Sequence, residues 1–404
     1  MQRHRVIAVT WAALVLVGSC TGNAHAAAAK SKYAEDLGAF FAEIDKTYPF
    51  FDLKGIRKGW APFKAQIEKR ARGCTSDTQF LSLVRDTIDY LRDGHMGIVK
   101  TDVAPPPREP EWYPGVSFMP AAGNRIVVMA APDNLRAQLA PGAVVTHIDG
   151  KPAHAYLEAR TQAAWDKGGS FSSTQRARLF EYRIALRGKK GERHKLTVLS
   201  GKKSAAVEIA CIHEVRGWPH TYAMPANLTP HGRSVHYGKL PSGVGYLYLR
   251  NIDGDTEPGI AAAVAAHADA KGWIVDLRGN GGGGYDQALL KRLESLPRPV
   301  VALIDAGCVS AGETFARDLV SICKATLFGQ TTAGASSSKR QWTFPSGVAT
   351  LSLPVRSRQG LGSQIEFNGV KPHVEAFAVP EEVQKGLNSE ILRAEEHILK
   401  GGAR

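Results

Sequence analysis

The chain has 404 residues, too many for one ordinary domain, and its content of 44% hydrophobic and 22% charged residues is that of a globular protein of two to three compact units. A formal net charge of +13 raises nucleic acid as a partner, yet the lysines and arginines are scattered along the chain. Only short clusters such as "RGKKGERHK" at 187–195 occur, with no basic helix and no aromatic-basic stripe, which sets that class aside and leaves a solvated basic surface suited to anionic envelope components.

The N-terminus reads as an export leader over residues 1–26. "MQRHR" supplies a positive start, "VIAVTWAALVLVGS" an apolar run, and "NAHAA" a small-residue cleavage site after Ala26. The run is shorter than the roughly 20 residues a membrane-spanning helix needs. Its end, "LVGSC", also has the form of a bacterial lipobox, so lipidation of Cys20 and cleavage after Ala26 stand as two outcomes. Either implies an exported protein, periplasmic or anchored to the envelope. Four further cysteines, Cys74, Cys211, Cys308 and Cys323, allow two disulfides in three connectivities in an oxidising compartment. Their spacing holds no CxxC element, so no zinc site is expected.

Residues 31–103 predict a small helical bundle. "YAEDLGAFFAEIDKTY", "GWAPFKAQIEKRA" and "TSDTQFLSLVRDTIDYL" place apolar residues three and four apart, and the last opens on a Ser or Thr cap. The bundle ends in "RDGHMGIV", and "APPPREPEW" at 104–112 is a Pro-rich linker. From 113 to 211 short β-rich runs follow, "GVSFMP", "NRIVVMAA", "GAVVTHIDG" and "HKLTVLSG", with a short helix before Pro141-Gly142 and another after the Asp149-Gly150 turn. That order resembles a PDZ-like module, a unit that takes extended peptides by strand addition. Residues 216–404 alternate strands and helices in α/β fashion.

Three features of that last unit bear chemistry. In "DAGCVSAGETFARDL" (305–319), Ser310 follows a buried strand and opens a helix. Ser-Ala-Gly-Glu is a capping box with Glu313, but the same position suits a nucleophile, because helix N–H groups there favour negative charge. The loop "DLRGNGGGG" (276–284) exposes backbone amides without side-chain hindrance, which fits an oxyanion better than a phosphate, since no lysine or serine follows in P-loop register. Arg278 and Asn280 are expected to brace that loop, and Asp276 to cap or anchor its strand. A serine needs a base, and His95 in "RDGHMGI" is presented from a sharp turn at the end of a helix.

"RDGHMGI", "GWIVDLRGNGGGG", "PVVALIDAGCVSAGETFARDL", "FGQTTAGASS" and "IEFNGVKPHVEA" occur in an order and spacing that resembles the C-terminal processing (tail-specific) and tricorn-core serine peptidases, over about residues 88–378. The resemblance implies an α/β multidomain protein: a helical bundle, a PDZ-like β-rich module and a ClpP/crotonase-like catalytic core. It implies Ser310 as nucleophile and Ala311 and Gly282 as oxyanion-hole amides. Processing peptidases take their base from a lysine in the segment matched by "GQTTAGASS", where this chain has Ala335, with Lys339 nearby but out of register as an alternative base. The tricorn-like branch uses a histidine, matched by His95, oriented through partners that include a late glutamate, matched by Glu366. Expected, then, is a cofactor-free, metal-free serine endopeptidase acting on peptides or unfolded proteins. The alternative is an inactive relative that binds peptides or hydrophobic ligands.

Overall fold

The computed structural model describes residues 20–106, 109–200, 203–216, 223–355 and 364–401. The leader lies outside the described residues as far as residue 19, and for residues 20–31, Cys20 included, only the backbone is described. Among the described residues no helix is long and apolar enough to cross a membrane.

Three helices come first, α1 (Cys20–Thr47), α2 (Arg57–Ala71) and α3 (Asp77–Leu91). Ser76 caps α3 by accepting the Gln79 N–H, and Phe80, Leu81, Val84, Ile88 and Leu91 form its buried face. Arg92, in the left-handed region at φ 50°, ends the helix and turns the chain toward His95. Strand β1 (Gly97–Lys100) follows.

The β-rich unit comprises β2 (Trp112–Tyr113), β3 (Ser117–Ala121), β4 (Arg125–Ala130), β5 (Val144–Ile148), β6 (Lys151–Pro152), α4 (Ala153–Lys167), α5 (Thr174–Ile184), β7 (Arg193–Ser200), β8 (Lys203–Ala210) and β9 (His213–Glu214). Its main sheet runs β3-β4-β5-β7-β8, with β6 on β5 and with β2 and β9 paired apart. The short helix expected before Pro141 is a single 3₁₀ turn, Asp133–Leu135. Helix α5 carried no clear sequence signal, because only Ala177, Glu181, Tyr182 and Arg183 of its residues are buried and two of those are charged.

The last unit contains β10 (Thr229–His231), β11 (Val235–Lys239), β12 (Gly245–Leu249), α6 (Thr256–Ala266), β13 (Trp273–Asp276), α7 (Gln287–Glu294), β14 (Val300–Ile304), α8 (Ala311–Cys323), β15 (Thr326–Gly329), β16 (Ser338–Thr343), β17 (Thr350–Val355), β18 (Val374–Glu375), α9 (Pro380–Val383) and α10 (Ser389–Leu399). A seven-stranded sheet, β10-β11-β12-β13-β14-β15-β18, is parallel from β12 onward. "WIVD" and "VVALI" are buried along their whole length, as central parallel strands covered on both faces must be. One face packs on α6, α7 and α8 through Trp273, Leu289, Phe315 and Leu319, the other on α10 through Ile274, Val301, Leu303 and Ile398. Each such aliphatic side chain contributes about 1.5–3 kcal/mol on burial.

Two expectations change. Strands β16 and β17 pair with β1, not with the seven-stranded sheet, and Phe344, Leu351 and Leu353 join the apolar cluster of α1–α3. The N-terminal helices are therefore completed by chain from residues 338–355, which sequence position assigned to the core. The two disulfides that the cysteine count allows are not formed: Cys74, Cys211, Cys308 and Cys323 are all free and buried. Cys74 sits among the N-terminal helices and Cys308 in the core cluster, so burial, which pushes both thiols up, keeps them as packed apolar groups.

Candidate active site

Three loops leave the carboxyl ends of adjacent parallel strands and meet, the usual place for a site in an open α/β sheet. The loop after β13 carries the glycines, the one after β14 carries Ser310, and the one after β15 runs through residues 330–337.

Ser310 has φ 55° and ψ −123°, a conformation that costs a non-glycine residue energy. The turn is held from several sides. Ser310 N–H donates to Ala335 O at 2.8 Å and to Glu313 Oε2 at 3.2 Å, and Ser336 Oγ donates to Ser310 O at 3.2 Å. Glu313 is wholly buried and also accepts from Thr332 Oγ1 (2.5 Å), Gly334 N–H (2.7 Å) and Ala335 N–H (2.9 Å). Burial pushes its carboxyl up to about 7 against those donors. Glu313 thus staples the 332–335 loop to the Ser310 turn, well beyond the capping role read from sequence.

Ser310 Oγ lies 3.0 Å from His95 Nε2, across 215 positions of sequence. Gly94 N–H donates to Ser172 Oγ and His95 N–H to Asp93 Oδ1, which fixes the turn presenting the ring. Burial pushes the imidazole below its usual value of 6.5, with Lys339 and Lys54 acting the same way and Asp93 opposing them. Lys339 is exposed on β16 opposite Pro354, so its charge reaches His95 but its amine is not the partner of Ser310.

Glu366 is buried in the same cluster, where Asp93, His95 and Glu366 each bring an atom within 4.8 Å of the others. The expected hydrogen bond from Glu366 to the ring is not made. Glu366 Oε1 accepts from Lys54 Nζ at 2.9 Å and Oε2 from the amides of Ser336 and Ser337 at 2.9 and 3.2 Å, while His95 Nδ1 is buried without a partner among the described residues. Burial and the Asp93 charge push Glu366 up to about 7, against the pull of Lys54. The Lys54 ammonium bridges Asp93 and Glu366 and offsets one of their two charges.

Gly282 has φ +79°, and a Cβ built on it would stand 2.7 Å from Ser310 Cβ and 3.3 Å from Ala311 N. The glycine loop therefore faces Ser310. Ala311 N–H has no acceptor among the described residues, but Gly282 N–H donates to Asn280 Oδ1 at 2.9 Å. That second expected oxyanion donor is available only by sharing or breaking the Asn280 bond. Asn280 braces the loop further by donating to Leu249 O, and buried Arg278 ties its start to Asp276, Asn388 and Glu390.

Such a site, a strained serine touching a histidine beside a glycine loop, defines a serine-type hydrolase. The sequence model of peptidase family S41 matches residues 243–293 and 288–376, the stretch that holds Ser310, the glycine loop and Glu366, and this match supports a serine-type peptidase. No curated relative matches the sequence. Solved structures similar to the chain include mature CPAF complexed with lactacystin, with TM-score 0.60 and 14% identity over 93% of this chain and 100% of that one. Mature CPAF matches with the same score and identity over 93% and 99%. The photosystem II D1 C-terminal processing protease matches with TM-score 0.42 and 16% identity over 91% and 97%. At 14% identity the likeness to CPAF concerns the fold alone. Lys54, Asp93 and the anchoring role of Glu313 were missed from sequence; the signal for the last was present in the capping box.

Proposed function

We propose that the protein is an exported serine endopeptidase that cleaves peptides or unfolded chains through an acyl-enzyme on Ser310, with His95 as general base and acid. The observation that carries this reading is the 3.0 Å approach of His95 Nε2 to Ser310 Oγ at a strained backbone position. As Oγ attacks the scissile carbonyl carbon, its proton passes to His95 Nε2 and the carbonyl oxygen becomes an oxyanion facing Ala311 N–H and Gly282. Collapse breaks the C–N bond, and the imidazolium gives its proton to the leaving amine. Water, deprotonated by the same ring, then releases the acyl group. Asp93 and Glu366 act on the imidazolium through charge.

A cavity of about 1040 Å³ lies between edge strand β3 and helix α5 on one side and residues 375–390 on the other, lined by Phe118, Met119, Leu179, Tyr182, Phe377 and Leu387. A groove between an edge strand and a helix supports the PDZ-like reading, with an extended peptide as its occupant. Export rests on residues 1–26 and is checked by fractionation: Cys20→Ala releases the protein from membranes if the cysteine is lipidated.

Hydrolysis of unstructured peptides tests the chemistry. Ser310→Ala and His95→Ala are expected to lower kcat/KM by about 10⁴-fold or more, while Lys339→Ala retains activity. Equal turnover by wild type and Ser310→Ala overturns the nucleophile, and loss confined to the lysine variant overturns the base.

A further inference from the structure

Lys54 belongs to the turn between α1 and α2, 312 positions from Glu366, yet its ammonium sits at the foot of the active site. It is only 6% exposed and donates to three acceptors: Arg92 O at 2.7 Å, Glu366 Oε1 at 2.9 Å and Asp93 Oδ2 at 3.1 Å. Those three bonds use all the protons an ammonium has. The rings of Tyr48 and Phe50 flank it at 5.7 and 5.5 Å, and Tyr48 Oη donates to Leu91 O and to Asp93 Oδ2. The two carboxylates it joins are the ones grouped with His95, and Asp93 also carries the His95 backbone N–H.

We propose that Lys54 is a positioning residue of the catalytic site, whose buried ammonium holds Asp93 and Glu366 in place beside His95 and lets the two carboxylates be ionised together during catalysis. The proposal rests on the reading of His95 and Ser310 given above. Two anions this deep and this close do not both stay ionised unless a cation lies between them. With Lys54 present the three groups leave one net negative charge beside the ring, enough to stabilise an imidazolium without forming it at rest. The other groups facing the cluster are the amides of Ser336 and Ser337, the Ser172 hydroxyl, the more distant Lys339 and the buried Glu313 carboxylate. None of them replaces an ammonium bonded to both carboxylates.

The test is the pH profile of kcat/KM in the full chain. Lys54→Met removes the cation, so the cluster takes up a proton on the ring or on a carboxyl group, and that proton must leave before neutral His95 faces two ionised carboxylates. The acid limb therefore moves up by about one pH unit or more, and kcat at neutral pH falls by about 100-fold with KM little changed. Lys54→Arg keeps the charge and is expected to keep the limb near the wild-type position. Asp93→Asn gives the converse: with the cation kept and one anion removed, the limb moves down, and this arm stands alone should Lys54→Met not fold. NMR titration of the His95 ring and the Glu366 carboxyl in the Ser310→Ala background reads the same shifts without turnover, and so separates failure here from failure of the peptidase reading. An acid limb and titrations that stay at wild-type positions in whichever of the two charge-removing variants folds overturn the proposal.

Discussion

Ser310 is held in a backbone conformation that an ordinary helix start never needs, and the residues around it explain how. Glu313 and Ala335 receive its N–H, and Gly282 comes close enough that a methyl group there collides with Ser310 Cβ and with Val309 O at 2.9 Å. Gly282→Ala therefore both strains a φ of +79° and pushes the glycine loop off the nucleophile. The expected outcome is a loss of about 100-fold or more in kcat, comparable to removing an oxyanion donor, with the melting temperature shifted far less than the rate. Ser310, His95 and Glu366 were legible in the sequence because each lies in a short motif whose local grammar is unusual. Lys54 and Asp93 were not. A lysine in "FFDLKGI" looks like any turn residue until the fold sets it against a glutamate more than three hundred positions away.

At the scale of elements, the pattern of three and four in α1–α3 predicted the helices, and the apolar runs of β13 and β14 predicted buried strands. What the pattern did not reveal was the partner of the β16–β17 hairpin. β16 is exposed along "SKRQ" and shows no alternation, so its sequence does not say which sheet or core receives it. The answer lies in its aromatic end: Phe40 of α1 stacks on Trp342 at 5.9 Å, and Phe344 meets Phe40 at 5.5 Å and Phe80 at 5.3 Å. Asp36 adds a polar clasp by accepting the Ser346 N–H. Phe344→Ala should cost about 3–5 kcal/mol in urea unfolding, because the cavity opens between three elements that cannot all collapse into it. It should also lower activity below the midpoint of unfolding, since the strand it anchors continues directly from the 332–337 loop around Ser310.

The site as a whole is assembled from all parts of the chain, and its buried acids set stability and activity against each other. The turn after α1 gives Lys54, the end of α3 gives Asp93 and His95, and the seven-stranded unit gives Ser310 and the glycine loop. Helix α5 and its cap lock onto the loops after β15 and β14: Ser173 Oγ donates to Ala333 O at 2.6 Å, and Arg176 donates to Ala306 O. Inside this assembly Glu313 and Glu366 are pushed up to about 7, chiefly by burial, from an ordinary carboxyl value of 4.5. A carboxyl raised by folding binds protons more tightly in the native state than in the unfolded one. Its stabilising effect is therefore complete below about 4.5 and is lost as pH rises toward 7. His95, held below 6.5 by burial, has the opposite sign, but as one group against two it does not cancel them. Urea midpoints should accordingly fall as pH is raised from 5 to 7, and Glu313→Gln should flatten that slope by removing one of the two titrations. Activity must run the other way, because ionised Glu366 requires proton loss over the same interval and the ring must be neutral to accept the Ser310 proton, so kcat/KM should rise while the midpoint falls. A midpoint that rises together with kcat/KM through this window would mean that the hydrogen bonds of the two carboxylates outweigh their burial, and that both are ionised well below 7 in the native state.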